Sequence, residues 1–306
     1  MKKFFIKVFI LFILLVVGIV IIIFLPLPEN SYNLAIIDKH RILSNTKSPK
    51  IVLAGGSNLV FGIDSAAIQD RLHIPVVNTA VHADFGLGRM LDDISRFLHT
   101  GDVLLIIPEY SHFISTWNGD SVAYELIFNA RQYQLLWSIY YDLPGSFFSY
   151  LRTYLKNFIY NVVPNPFAYS RDGFNEYGDY VKHLGFTSRP FSPFGNLGTL
   201  NQSYLNNFFQ FIDDFTERGI TVMLSYPSYE EQSFRNSAAL IQELDMLFRA
   251  KENLLVISTP ESYCYSAEYF YDTVYHLNRE GRAVRTRQLI LDLQANGFPA
   301  LDETSR

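Results

Sequence analysis

Eighteen consecutive residues, Val8 to Leu25, carry no charge and no strongly polar side chain. At about 1.5 Å per residue such a run makes a helix of about 27 Å, close to the ~30 Å hydrocarbon core of a bilayer. Phe4, Phe5 and Ile6 extend the run at its front, and Pro26 and Pro28 end it, because proline cannot continue the hydrogen-bond ladder. Lys2, Lys3 and Lys7 precede the run and Glu29 follows it. The positive-inside rule therefore makes residues 1–26 a cytoplasmic tip and transmembrane anchor, and puts the rest on the extracytoplasmic side, periplasmic or extracellular. The rival reading is a cleaved signal peptide, whose apolar region is usually about 7–15 residues and ends at a small-residue A-x-A site. Here Leu27-Pro28-Glu29-Asn30 follow, which favours an uncleaved anchor.

The single cysteine, Cys264, lies far from this run, so a lipoprotein is excluded. It also leaves no internal disulfide and no cysteine-built zinc or iron–sulfur site. Of 306 residues, 49% are apolar and 18% charged, which suits a folded domain and not a disordered chain. Past the three N-terminal lysines, 22 basic side chains face 30 acidic ones, so a nucleic-acid partner is not expected.

Residues 27–48 read as a stalk and 49–296 as one domain, followed by a tail at 297–306. Short apolar runs predict strands at Lys50–Ala54, Pro75–Val81, Asp102–Pro108, Gly219–Tyr226 and Leu254–Ile257. Helical spacing predicts helices at Asp64–Leu72, Leu87–Leu98, Tyr204–Glu217, Glu230–Ala250 and Asn278–Asn296, with Asn278 as N-cap of the last. Apolar strands alternating with helices imply an α/β domain with a parallel sheet covered on both faces. A stretch at about 115–202, rich in Tyr and Phe, interrupts this rhythm and reads as an insertion. Its segment Arg171–Asp179 is either a loop bordering the cleft or a surface turn.

Ligands of an open parallel sheet sit at the C-terminal ends of its strands. There the sequence places Gly55-Gly56-Ser57-Asn58, then Asn78, His82, Asp84 and Gly86, then Glu109, Tyr110 and His112, then Ser225 and Tyr226. Asp272 and His276 precede the last helix. A serine nucleophile needs a base within hydrogen-bond reach, and the base needs an acid to hold its tautomer. Ser57 follows a glycine pair and opens toward a helix, and Asp272 and His276 form a local acid–base pair, so these three are the candidate catalytic residues. Gly56, Asn58, Asn78, Gly86, Glu109 and Tyr110 are candidates to line the oxyanion or substrate site. No metal site is expected: His82 and Asp84 lack a third ligand at recognisable spacing, and H-E-x-x-H is absent. No cofactor is expected either, since no lysine follows the glycine pair and G-x-G-x-x-G is missing.

The block G-G-S-N after the first strand and the block D-T-V-Y-H-L-N-R-E-G before the last helix resemble the first and last blocks of the SGNH (GDSL-like) hydrolase superfamily. The resemblance covers about residues 48–296 and, with the anchor, is similar to the membrane-tethered SGNH-like proteins of teichoic acid D-alanylation and alginate acetylation. It implies a flavodoxin-like three-layer α/β/α fold and an acyl esterase or O-acyltransferase acting on a cell-envelope glycan. It further implies a multi-pass membrane acyltransferase as partner. By the resemblance Ser57 is the nucleophile, His276 the base and Asp272 its orienting acid, with the amides of Ser57 and of Gly86 or Gly88 in the oxyanion hole.

Two positions depart from the family's pattern. The last block reads D-x-x-x-H in place of D-x-x-H, so the acid is either Asp272, with one residue bulged out, or another residue such as Glu268. The third block lacks the G-x-N-D asparagine, and strand three ends instead in Ile107-Pro108-Glu109-Tyr110. Asn58 or Asn78 is left to supply the missing donor. These departures keep a second function class open, a catalytically inactive assembly partner of an acyltransferase, and the aromatic insertion keeps open a glycan-binding protein.

Overall fold

The structure, a computed structural model, describes residues 1–24, 29–115, 119, 151–152 and 169–298, with the side chains of 19 and 22–24 left aside. The end of the apolar run, most of the expected insertion and the last part of the tail lie outside the described residues.

Helix α1 covers Lys2–Phe24, and its described side chains from Phe4 to Val17, Lys7 included, stand exposed. Up to Gly18 that helix includes Lys2, Lys3 and Lys7. Among the described residues no helix is long and apolar enough to cross a membrane.

The segment expected to be a stalk is not one throughout, because Ala35–Asn45 folds as helix α2. Ala35, Ile36, Lys39 and Leu43 recur on one face and are buried. The Lys39 ammonium group reaches the carbonyls of Asn78 (2.9 Å) and Gly178 (2.6 Å). Burial pulls the Lys39 pKa down to about 7, against the partial opposition of Asp179 and Asp38.

Strands β1 (Ile51–Gly55), β2 (Val76–Asn78), β3 (Val103–Ile107), β4 (Thr221–Leu224) and β6 (Leu255–Val256) form one parallel sheet in the order β2-β1-β3-β4-β6. This order is compatible with a flavodoxin-like fold. The two-stranded pair of β5 (Tyr229–Glu230) and β7 (Cys264–Tyr265) stands apart from it.

Side chains alternate across the sheet with period two. Val52, Ala54, Val77, Leu104, Ile106, Val222 and Leu224 face one core, which also takes apolar residues of α2, α5 (Leu87–Ser95), α6 (Gln202–Glu217) and α8 (Ala238–Arg249). Ile51, Leu53, Val76, Leu105, Ile107 and Met223 face the other, with those of α3 (Ser57–Gly62), α4 (Ser65–Leu72) and α9 (Arg279–Ala295). Strands buried on both faces are why the sequence reads as unbroken apolar runs there.

The helix expected over Glu230–Ala250 is two, α7 (Glu231–Asn236) and α8, broken at Ser237. Asn236 and Ser237 are poor helix formers, and both bond an incoming segment. Asn236 Nδ2 donates to Phe194 O (2.7 Å), and Ser237 Oγ accepts from the Leu197 amide (3.3 Å).

Candidate active site

Strand β1 runs into α3 through Gly55-Gly56, and the tightness of that turn explains both glycines. A Cβ on Gly55 would lie 2.2 Å from Ile107 O, a backbone atom that cannot retreat without breaking the β1–β3 pairing. A Cβ on Gly56 would lie 2.5 Å from Glu109 Oε1. Gly56 has an ordinary negative φ of -85°, so glycine serves here to admit a neighbouring carboxyl and not to permit an unusual dihedral.

Ser57 is the first residue of α3. Its Oγ lies 2.8 Å from His276 Nε2, across 219 residues of chain. His276 Nδ1 lies 2.9 Å from Asp272 Oδ1, so Nδ1 carries the proton donated to the carboxylate and Nε2 is free to accept from the serine. Burial works against ionisation of Asp272, but the hydrogen bond and charge of His276, together with the Tyr169 hydroxyl, outweigh it and hold its pKa below the usual value.

The extra residue of the D-x-x-x-H spacing is absorbed in the loop itself. Thr273 Oγ1 accepts from the amides of Tyr275 (3.2 Å) and His276 (3.1 Å), and the Tyr271 amide closes the loop on His276 O (2.7 Å). Glu268, the alternative acid, accepts instead from Ser266 Oγ (3.1 Å).

Two aromatic side chains complete the setting, and neither stands out in the sequence. Phe61, one turn after Ser57 on α3, stacks on the His276 ring with centroids 4.0 Å apart and planes within 14°. The Tyr169 hydroxyl donates to Asp272 Oδ2 and lies 3.4 Å from His276 Nδ1. A phenylalanine on an apolar helix face reads as core, and Tyr169 is one of 20 tyrosines. Only their neighbours in space distinguish them.

Glu109 follows β3 and is buried beside Ser57. Its Oε1 accepts from the Asn58 amide (3.0 Å) and from Ser57 Oγ (3.1 Å). The serine hydroxyl thus lies between two acceptors, the imidazole and this carboxylate. The Glu109 amide in turn donates to His112 Nδ1 (3.0 Å), and burial keeps the His112 pKa below its usual value.

The other expected site residues are placed differently. Asn78 is fully buried and its Nδ2 donates to Leu59 O (3.1 Å) and Asp179 Oδ1 (2.9 Å), which leaves neither amide hydrogen for an oxyanion. Asn58 is fully buried too, with Nδ2 on Ile107 O (3.2 Å). The Gly86 amide donates to Ala83 O (2.9 Å), and Gly88 lies in the first turn of α5. Tyr110 packs edge-on against Tyr229, 5.2 Å between centroids, inside the core. Ser225 Oγ pairs with Ser258 Oγ (2.9 Å), and the Tyr226 hydroxyl bonds Asp245. His82 Nδ1 accepts from the Asp84 amide (3.1 Å), and among the described residues no cluster of His, Cys, Asp or Glu is arranged to hold a metal.

Segment 171–179 packs inward in part. Arg171 Nε bonds Asp38 of α2 (2.6 Å), and fully buried Asp179 accepts from Ser65 Oγ (2.6 Å). Its outer side lines a cavity of about 650 Å³ with Glu29, Asp38 and Arg41, and no member of the Ser57–His276–Asp272 set stands in that wall. Gly86 and His112 line a smaller cavity of about 110 Å³.

Comparison with family models, with curated proteins and with solved structures finds no match for this chain.

Proposed function

We propose that the chain is an anchored, extracytoplasmic acyl esterase or O-acyltransferase of the SGNH type, acting on an ester-linked acyl group of an envelope glycan. The observation that carries this reading is the continuous run of contacts Ser57 Oγ–His276 Nε2 (2.8 Å) and His276 Nδ1–Asp272 Oδ1 (2.9 Å) at the C-terminal edge of a parallel sheet. Ser57 Oγ attacks the ester carbonyl while His276 Nε2 takes its proton. The imidazolium then returns that proton to the leaving alkoxide, and an acyl-Ser57 ester remains. Water or a sugar hydroxyl, deprotonated by His276, resolves it and restores the serine. The anchor rests on the uncharged run Val8–Leu25 and on the exposed apolar side chains of α1, such as Leu11 and Leu14. A multi-pass membrane acyltransferase as donor of the acyl group fits the transferase branch.

A second reading, an inactive assembly or glycan-binding partner with the same fold, draws on the Glu109 carboxylate at the Asn58 amide, where a developing oxyanion needs a donor. Hydrolysis of p-nitrophenyl acetate by the full-length protein in detergent separates the two. The enzyme reading expects turnover that Ser57→Ala lowers by about 10³-fold or more. Turnover equal in the wild type and the variant favours the inactive partner.

A further inference from the structure

We propose that Tyr169 is a positioning residue of this site, the fourth member of a Ser57–His276–Asp272–Tyr169 chain, which orients the acid and moderates its pull on the imidazole. The proposal rests on the catalytic reading above.

Asp272 has two carboxylate oxygens with different duties. Oδ1 accepts from His276 Nδ1 (2.9 Å), and Oδ2 accepts from the Tyr169 hydroxyl. With both oxygens engaged, the carboxylate is held in rotation as well as position. This matters because Asp272 stands on a loop, four residues from His276, where no helix or strand fixes its side chain.

The Tyr169 ring is itself fixed. It packs against Phe61, Tyr32 and Tyr180, with centroids 4.9, 5.6 and 5.6 Å away. Phe61 in turn stacks on His276. One aromatic cluster therefore grips the base from its face and the acid through a hydroxyl. Burial, then the charge of Asp272, raises the Tyr169 pKa, so the phenol remains a donor across the working pH range.

A hydrogen bond into a carboxylate draws negative charge toward the donor. Tyr169 thereby weakens the attraction of Asp272 for the imidazolium, and removing the hydroxyl strengthens it. This effect is electrostatic and separable from packing, because phenylalanine retains the ring and removes only the donor.

The test is the pH dependence of p-nitrophenyl acetate hydrolysis by the full-length protein. Tyr169→Phe is expected to lower kcat by about tenfold, to leave KM nearly unchanged, and to move the midpoint of the acid limb up by about half a pH unit or more. Tyr169→Gln, which keeps an N–H donor, is expected to hold that midpoint closer to the wild-type value than Tyr169→Met does. That pair decides the matter should the phenylalanine variant fail to fold. A lower rate with an unmoved midpoint in the donor-free variants would mean that Tyr169 only packs, and would overturn the proposal. Absence of any Ser57-dependent turnover in the wild type is a different result, and overturns the catalytic reading together with this one.

Discussion

Replacing His276 with glutamine is expected to slow acylation of Ser57 about 10⁴-fold, in line with the loss of a general base that acts as a unit with its nucleophile. Glutamine fills similar space against Phe61 and retains an N–H toward Asp272, so the fold has little reason to change. What it lacks is a nitrogen able to accept the serine proton at neutral pH. Ser57 then has the Glu109 carboxylate as its remaining acceptor, at 3.1 Å. The rate of p-nitrophenyl acetate hydrolysis, with thermal unfolding as the control for folding, checks the expectation. A loss below about tenfold would mean that another group activates the serine, and Glu109 is the one in place to do so.

Replacing Glu109 with glutamine is expected to act in the opposite direction, raising the acylation rate by about ten- to a hundredfold. As the tetrahedral intermediate forms, negative charge develops on the former carbonyl oxygen and needs hydrogen-bond donors. The start of α3 is the natural place for them, since the first amides of a helix have no partner within it. In this protein the Asn58 amide is already bonded to Glu109 Oε1 (3.0 Å), and the carboxylate adds a like charge beside the developing one. The nearby asparagines offer no remedy, with Asn78 Nδ2 on Leu59 and Asp179 and Asn58 Nδ2 on Ile107. Glutamine has nearly the shape of glutamate, removes the charge and presents a donor. One oxyanion donor is worth about 10²–10³ in rate, which sets the ceiling for the gain. A measured kcat/KM that falls in Glu109→Gln would show that the carboxylate assists the reaction and does not oppose the oxyanion.

Strand positions were the most readable part of the fold. Each central strand is buried on both faces, so its sequence is an apolar run between turn residues, as in Val103–Ile107. Helix α2 was harder to see, because its buried face includes Lys39, whose charge suggests a solvated surface until the carbonyls of Asn78 and Gly178 are brought to it. The break at Ser237 depends on residues 194–197 arriving to take hydrogen bonds, a contact across about forty residues that periodicity does not register.

The site divides in the same way. The meeting of Ser57, Asp272 and His276 was legible because a glycine-flanked serine at a strand end and an acid–base pair before a helix are local patterns with a chemical meaning. Tyr169 and Phe61 have no such local signature and join these residues only through distance and angle. The position of Glu109 was legible, but its engagement with the Asn58 amide and the Ser57 hydroxyl follows from the Cβ-free space at Gly56, which is a property of packing.

The most direct measurement is the intact mass of the full-length protein after exposure to a fluorophosphonate, with peptide mapping of any adduct. A serine activated by His276 displaces fluoride from phosphorus, so a single adduct is expected on Ser57, absent from Ser57→Ala and formed far more slowly by His276→Gln. A protein that gains no adduct, or gains it equally in the Ser57→Ala variant, would contradict the claim that these side chains form a working nucleophile.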